Sequence, residues 1–269
     1  WRLDAVDAND NNVDYSLQET VWSGYGLLAY AGERWDLVLG ARYEETQTEG
    51  RGRRQVNGVW TDTENSGGYD DLLPSVNLSY DLVEDVKLRA AYSKSLGRVP
   101  FDAIAPVGES LREDGTTVTL SRSNPDLLPR RSDNFDLALD WYFGGGRGLL
   151  SASLFYKKVE NEFFTAASVT TVDLDGRQVE ATVTQPMNAD EAVDIYGLEI
   201  NLIRELDAVL PDALRGFTVS ANLTLLDTNF KQPMDDGSVV ELKTMIGQPE
   251  TAYNLALSYD RGPVSARLA

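Results

Sequence analysis

Cysteine and histidine are both absent from the 269 residues. Without cysteine there is neither a disulfide scaffold nor a thiolate metal site. Without histidine the His-based dyads and triads and the commonest metal ligand drop out, so a hydrolase reading would have to draw on residues outside this chain. Basic residues are scarce as well: 24 Lys and Arg stand against 43 Asp and Glu, a formal net charge of -19. That balance excludes the extended basic face a nucleic-acid binder needs. It serves solubility and suits long loops facing water. No stretch approaches the roughly 18 consecutive apolar residues of a membrane helix. Trp1 is preceded by no initiator Met or apolar leader, and Ala269 falls inside a strand-like pattern, so the chain reads as a piece of a longer protein. Asp and Asn crowd between Asp4 and Asp14 without the Gly and terminal Glu of a calcium loop, which makes that stretch a solvated loop.

What the chain does have is alternation. In the stretch Ser123 to Phe143, Phe135, Leu137, Leu139 and Trp141 alternate with Asn134, Asp136, Ala138 and Asp140. Period two specifies a strand. The run stops at the glycine-rich 144–148, and a second alternating run starts at Leu149 and is expected to continue as far as Phe163-Phe164, so the pair reads as a tight hairpin. Similar runs occur over 18–31 (Tyr25, Leu27 and Ala29 on one face), 35–44, 72–82, 86–96, 195–202, 217–225 and 253–259, with a last one after Pro263. Lys87 and Arg89 on one strand face require water on that side, since a dry core would penalise both.

The connections alternate between short and long. Tight turns fall at Gly32-Glu33, Val83-Glu84-Asp85, the glycine run and Arg261-Gly262-Pro263, with a slightly longer one at 207–216 that has room for one helical turn. Long polar loops are expected at 49–70, 97–131, 166–191 and 231–247, the last carrying the turn signal Asp235-Asp236-Gly237. Such order predicts an all-β fold, an antiparallel up-and-down transmembrane β-barrel segment of about ten strands, with short turns at one end and loops at the other. About ten residues at about 3.3 Å each, tilted near 45°, span about 23 Å, the height of an outer-membrane apolar band. Tyr30, Trp35, Tyr80, Trp141 to Phe143 and Tyr259 lie beside the short turns, where amphipathic rings favour the interface. The competing fold is a soluble sandwich or lipocalin-like barrel, which alternates too but seldom keeps this loop order.

The segment SNPDLLPRRSDNFDLALDWYF resembles TonB-dependent outer-membrane receptors, in which a loop ending Asn-Pro-x-Leu-x-Pro and then Ser-x-Asn-Phe/Tyr enters a barrel strand. Asn124, Pro125, Leu127, Pro129, Ser132, Asn134 and Phe135 carry the match. Weaker likenesses lie in GYGLLAYAGERWDLVLGARYEET, in LLPSVNLSYDL and in the Gly-x-Glu strand at Tyr196-Gly197-Leu198-Glu199. The resemblance implies a barrel of about 22 strands with an N-terminal plug, energised by an inner-membrane TonB complex that pulls on a segment before the plug. Residues 1–269 would then be part of the barrel domain, without plug or coupling segment.

By the same resemblance the protein would be a non-enzymatic transporter in the Gram-negative outer membrane. It would sit in outer-membrane lipid and capture a scarce small-molecule or oligosaccharide ligand with its loops. Relatives mostly carry ferric siderophores, and others cobalamin, haem or sugars; no cofactor or metal of its own is implied. Trp60, Tyr69, Phe101 and Arg112 are the candidate ligand-binding residues, set against ordinary loop packing. Arg51, Arg53 and Arg54 could meet an anionic ligand or lipid phosphate, with a solvated loop the favoured reading. The rivals are oligosaccharide uptake, a passive porin, an outer-membrane barrel enzyme, which would need a nucleophile with its base, and a structural or adhesive barrel.

Overall fold

The computed structural model describes residues 15–56, 59–106, 110–114, 117–174, 177–233, 239–242 and 248–269. The Asp4 to Asp14 cluster and the turn at Asp235-Asp236-Gly237 lie outside the described residues. In chain order come β1 (Tyr15–Ala31), β2 (Trp35–Val56), β3 (Val59–Val83), β4 (Val86–Gly97), a short helix α1 (Phe101–Ile104), β5 (Ser110–Asp114) and β6 (Thr117–Ser121). There follow β7 (Arg130–Phe143), β8 (Gly148–Glu160), β9 (Phe163–Leu174), β10 (Arg177–Asn188), β11 (Val193–Glu205), β12 (Phe217–Thr228), β13 (Phe230–Pro233), β14 (Val239–Leu242), β15 (Thr251–Arg261) and β16 (Val264–Leu268).

Ten of these strands form one antiparallel sheet in the order β1-β2-β3-β4-β7-β8-β11-β12-β15-β16, a meander that does not close on itself. Its turns are short at one end. The β7–β8 turn places Gly144, Gly145 and Gly146 at φ of 65°, 67° and 81°, a left-handed run that residues with a Cβ resist. The longer β11–β12 connection contains a 3₁₀ turn at Asp212–Leu214, in the segment expected to form a helical turn.

Cross-strand register fixes which side chains share a face. Leu39, Val76, Tyr92, Phe135, Tyr156 and Tyr196 form one row across neighbouring strands, and Leu37, Leu78, Ala90, Leu137, Leu154, Leu198 and Leu225 form the next. The opposite face carries Ser75, Asn77, Ser79, Lys87, Arg89, Asp136, Ser151, Ser153, Glu199, Asn201 and Asn222. There Arg89 pairs with Asp140 at 2.9 Å and Lys87 with Asp81 at 3.3 Å, which meets the demand of both cations for a polar environment. In β1, Tyr25, Leu27 and Ala29 share one face as expected, and the register settles which face that is. Leu28 and Tyr30 pair with Leu39 and Leu37 on the apolar face, while Tyr25, Leu27 and Ala29 pair with Arg42, Gly40 and Val38 on the polar one. Both parities of β1 are apolar, so alternation alone could not choose.

The apolar face is bordered by aromatic rings at both ends. Beside the short turns Tyr30 stacks on Trp35 at 4.5 Å, Trp141 lies 4.9 Å from Phe143 and Phe217 4.8 Å from Tyr259. At the other end Tyr92 and Phe135 lie 4.9 Å apart. There the hydroxyls of Tyr92, Tyr156 and Tyr196 donate to Asp133, Asp194 and Asp227 at 2.7, 2.6 and 3.2 Å. Each ring keeps its body on the apolar side and its oxygen with a carboxylate, as at a membrane interface.

Where long loops were expected, the structure has further β-structure. β2 and β3 run on past the apolar band and stay in register from Trp35↔Tyr80 to Val56↔Val59, so much of 49–70 is an extended hairpin. Polar residues stand on both of its faces, one of them against the 104–106 segment through Thr63 and Asn65, which erases the apolar alternation that marks a half-buried strand. The 97–131 connection supplies α1, β5 and β6, and the 166–191 connection is the β9–β10 hairpin. They join in a second sheet, β5-β6-β10-β9, in which β6 and β10 run parallel. β13 and β14 form a small third sheet. The run from Leu149 does not continue to Phe164: it breaks at Asn161, which takes φ 57°, before β9 begins.

Candidate functional site

The end of the sheet with the large connections is held together by the segment just before β7. Asn124 accepts a hydrogen bond from the Asp126 amide at 3.1 Å, a local Asx turn, while its own amide nitrogen donates to the Pro186 carbonyl of β10 at 2.9 Å. Leu127 is buried with Val99 and Ile104. Leu128 exchanges two hydrogen bonds with the Asn188 side chain, at 2.9 and 3.0 Å, and Pro129 is fully buried with its carbonyl taking a bond from Asn161. Asn134 then donates to the Ser93 carbonyl and the Ser95 hydroxyl of β4. The Asn-Pro-x-Leu-x-Pro pattern is thus a clasp: Asn124 and the Leu128 backbone tie the β4–β7 connection to β10, and Leu127 and Pro129 fill the seam.

Next to this clasp a charged network lines the polar face. Arg98, just past the end of β4, reaches Glu44 of β2 at 2.5 Å and Glu19 of β1 at 3.6 Å. Arg42 bonds the other oxygen of Glu44 at 2.5 Å and the Ser23 hydroxyl at 2.8 Å. At the start of β7, in register with Leu96 and therefore at the parity of Phe135, Arg131 closes on Asp71 of β3 at 2.5 Å. Glu44 and Asp71 are each 8% exposed, so their charges depend on these partners. Burial opposes the Arg98 charge, but the Glu44 carboxylate outweighs it and leaves the guanidinium more firmly protonated than an ordinary arginine.

The four residues singled out from sequence do not converge on one point. Tyr69 lies on the polar face of β3 opposite Thr46, half-buried beside the network. Its phenol is pushed above the usual range, first by burial and further by Glu19 and Asp71, with Arg98 acting the other way. Phe101 is exposed at the start of α1. That segment leans on β3, where Asn65 donates to the Ile104 carbonyl at 3.2 Å and Thr63 to the Pro106 carbonyl at 2.6 Å, so Tyr69 and Phe101 stand on connected elements. Trp60 pairs with Gln55 near the tip of the β2–β3 hairpin and Arg112 with Thr119 in the β5–β6 pair; both side chains lie outside the described residues. Arg51 and Arg53 pair across the hairpin with Glu64 at 3.3 Å and Asp62 at 3.1 Å, and all four are largely exposed. That is the solvated reading of these arginines; the Arg54 side chain is outside the described residues.

Sequence reasoning missed the charged network and an apolar knot. Val159, Phe164, Val193, Ile195 and Phe230 pack together where β8, β9, β11 and β13 meet. Its five residues come from four strands far apart in the sequence, so no local period could have brought them together. Among the described residues no group of three or more Asp, Glu, His or Cys could hold a metal, and no helix is long and apolar enough to cross a membrane.

The model of the family described as "TonB dependent receptor-like, beta-barrel" matches residues 2–268. The chain belongs to this family. Its architecture is shared by the ferric-catecholate import receptor Fiu from E. coli K12, with a TM-score of 0.61 at 18% identity over 94% of this chain and 34% of that one. The copper transporter OprC gives a TM-score of 0.62 at 15% identity, covering 94% and 34%. The ferric yersiniabactin uptake receptor FyuA from Yersinia pestis gives 0.57 at 14%, covering 91% and 32%. This TonB-dependent receptor chain spans about a third of the length of these solved structures. A search of curated proteins finds no match. Family membership accounts for the two faces of the sheet: the ring-bordered apolar face is the one a bilayer would cover, and the charged one lines the lumen.

Proposed function

We propose that the chain is the wall and mouth of an outer-membrane active transporter in a Gram-negative bacterium, which captures a ferric siderophore with its large connections and imports it with energy from a TonB complex. The supporting observation is the asymmetry of the sheet. One end has only short connections, the longest of them between β11 and β12, while at the other β5, β6, β9, β10, β13 and β14 build a structured rim over a lumen face that carries Arg42, Glu44, Asp71 and Arg98. Tyr69, Phe101, Trp60 and Arg112, which lie on the β2–β3 hairpin and the β4–β7 connection, are the contacts proposed for a ligand entering past that rim. No bond is broken in this function; the barrel contains and the rim selects. Coupling would act through parts of the protein other than residues 1–269.

The test uses the full-length receptor in cells lacking other iron-uptake receptors. Uptake of radiolabelled ferric siderophores that requires both the receptor and an intact TonB complex is the expected result. Energy-independent passage of small solutes would make the protein a porin, and uptake of labelled oligosaccharides without iron chelates would reassign its cargo.

A further inference from the structure

A cavity of about 270 Å³ lies at the junction of the β9–β10 hairpin with β11 and β13. Its floor is apolar: Phe164 and Phe230 meet edge to face, 6.5 Å between ring centroids at 66°, beside Val193 and the thioether side chain of Met187. Ala166 and Ala189 are the reason for the empty space, since neither fills the gap between the rings and Met187. Aromatic and thioether walls of this kind suit an apolar group of a few carbons, an arene above all.

The rim determines what else the occupant must carry. Asn188 and Asn229 are already committed: one is bound to Leu128 and Asn161, the other exchanges hydrogen bonds with Asp194. Lys231 is held by Glu191 at 2.7 Å, so those two charges cancel. Asp190 remains, and among the described residues its carboxylate has no hydrogen-bond or ion-pair partner. The rim therefore has one uncompensated negative charge above an aromatic floor. It favours a cation and rejects an anion.

We infer that this cavity binds a protonated amine carried on an aryl or branched-alkyl group, with the hydrocarbon between Phe164, Met187 and Phe230 and the ammonium at Asp190. Nothing in this assignment requires transport. Only its meaning as a subsite for part of the cargo rests on the uptake reading.

The experiment uses the full-length receptor in detergent micelles, with benzylamine as probe and benzoate as its charge-reversed counterpart, read by ligand-detected saturation-transfer NMR. Saturable binding of benzylamine is expected, with none for benzoate. A166L, which fills the floor, should weaken benzylamine about tenfold or more, and D190N should remove the preference for the amine over benzyl alcohol. If A166L does not reach the folded, heat-modifiable form on gels, A189L fills the same space from the β10–β11 connection. Absence of saturable binding, equal binding of benzoate, or binding unchanged by the filling substitution would overturn the assignment. Benzylamine binding by a receptor that imports no iron chelate would defeat the transport reading and leave this site standing.

Discussion

At Gly197 the lumen wall admits no side chain. A Cβ there would run into the Phe155 ring from β8 and the Leu225 carbonyl from β12. The glycine of the Tyr-Gly-Leu-Glu strand is therefore a socket for its cross-strand neighbour Phe155, which lies directly opposite. G197V should cost about 1–3 kcal/mol through overpacking, seen as a lower urea midpoint for the full-length receptor, whereas F155A paired with G197A should recover part of it. Arg98 is the second residue whose loss has a calculable consequence. R98Q leaves the buried Glu44 with Arg42 alone. Because Arg98 is about one-third exposed, the cost should be about 1–2 kcal/mol, below the full penalty of a stranded buried charge. Glu44→Gln in the same background should relieve it, and a double-mutant cycle in urea checks the coupling. Of these two residues only the glycine could be suspected from sequence, since it interrupts a strand pattern; Arg98 and its partners are brought together from β1, β2 and the end of β4.

Among the elements, the second sheet is the most informative. Parallel pairing of β6 with β10 fuses the connection between β4 and β7 to the one between β8 and β11. The Ser121 and Thr184 hydroxyls lie 3.1 Å apart, the Arg122 amide donates to the Thr184 carbonyl at 2.9 Å, and Gln185 donates to the Ser123 carbonyl at 3.2 Å. Two connections expected as separate loops thus form a single body. With no cysteine among residues 1–269, S121C/T184C should form a disulfide and leave ligand uptake within about twofold of the parent; a strong uptake defect reversed by reducing agent would show that the two connections must separate in use. N124A removes the bond to Pro186 and the Asx turn. It should free the 97–131 segment to protease in intact cells, with a local cost of about 1–3 kcal/mol. Sequence revealed the barrel strands because each has one wet and one greasy face. It hid the upper halves of β2 and β3 because polar residues stand on both of their faces, and it hid β6 and β10 because their buried Val118, Leu120, Ala181 and Val183 alternate only over short runs and pair between distant connections; it could not place β1, whose two faces are both apolar between Tyr25 and Tyr30. The Asn-Pro-x-Leu-x-Pro segment was recognisable by resemblance, but its role as a clasp depends on Pro186 and Asn188, some 60 residues away.

For the whole molecule, the central claim is that lipid covers one face of the ten-stranded sheet and water the other. Leu139 lies mid-strand on the apolar face, and its side chain is substantially exposed. L139R on the full-length receptor in lipid vesicles should cost about 2–4 kcal/mol, while the same change at Ser153, on the opposite face across from Glu199, should be nearly silent. The most direct measurement is spin-label accessibility along β7. Single cysteines introduced from 135 to 141 into the cysteine-free chain, within the full-length receptor in bilayers, would each be labelled and tested against oxygen and a water-soluble nickel chelate. Labels at 135, 137, 139 and 141 should be relaxed by oxygen and those at 136, 138 and 140 by the nickel chelate, in strict alternation. Labels at Leu137 and Leu139 immobilised and shielded from both reagents would mean that a second protein layer covers that face, and the membrane barrel would be refuted.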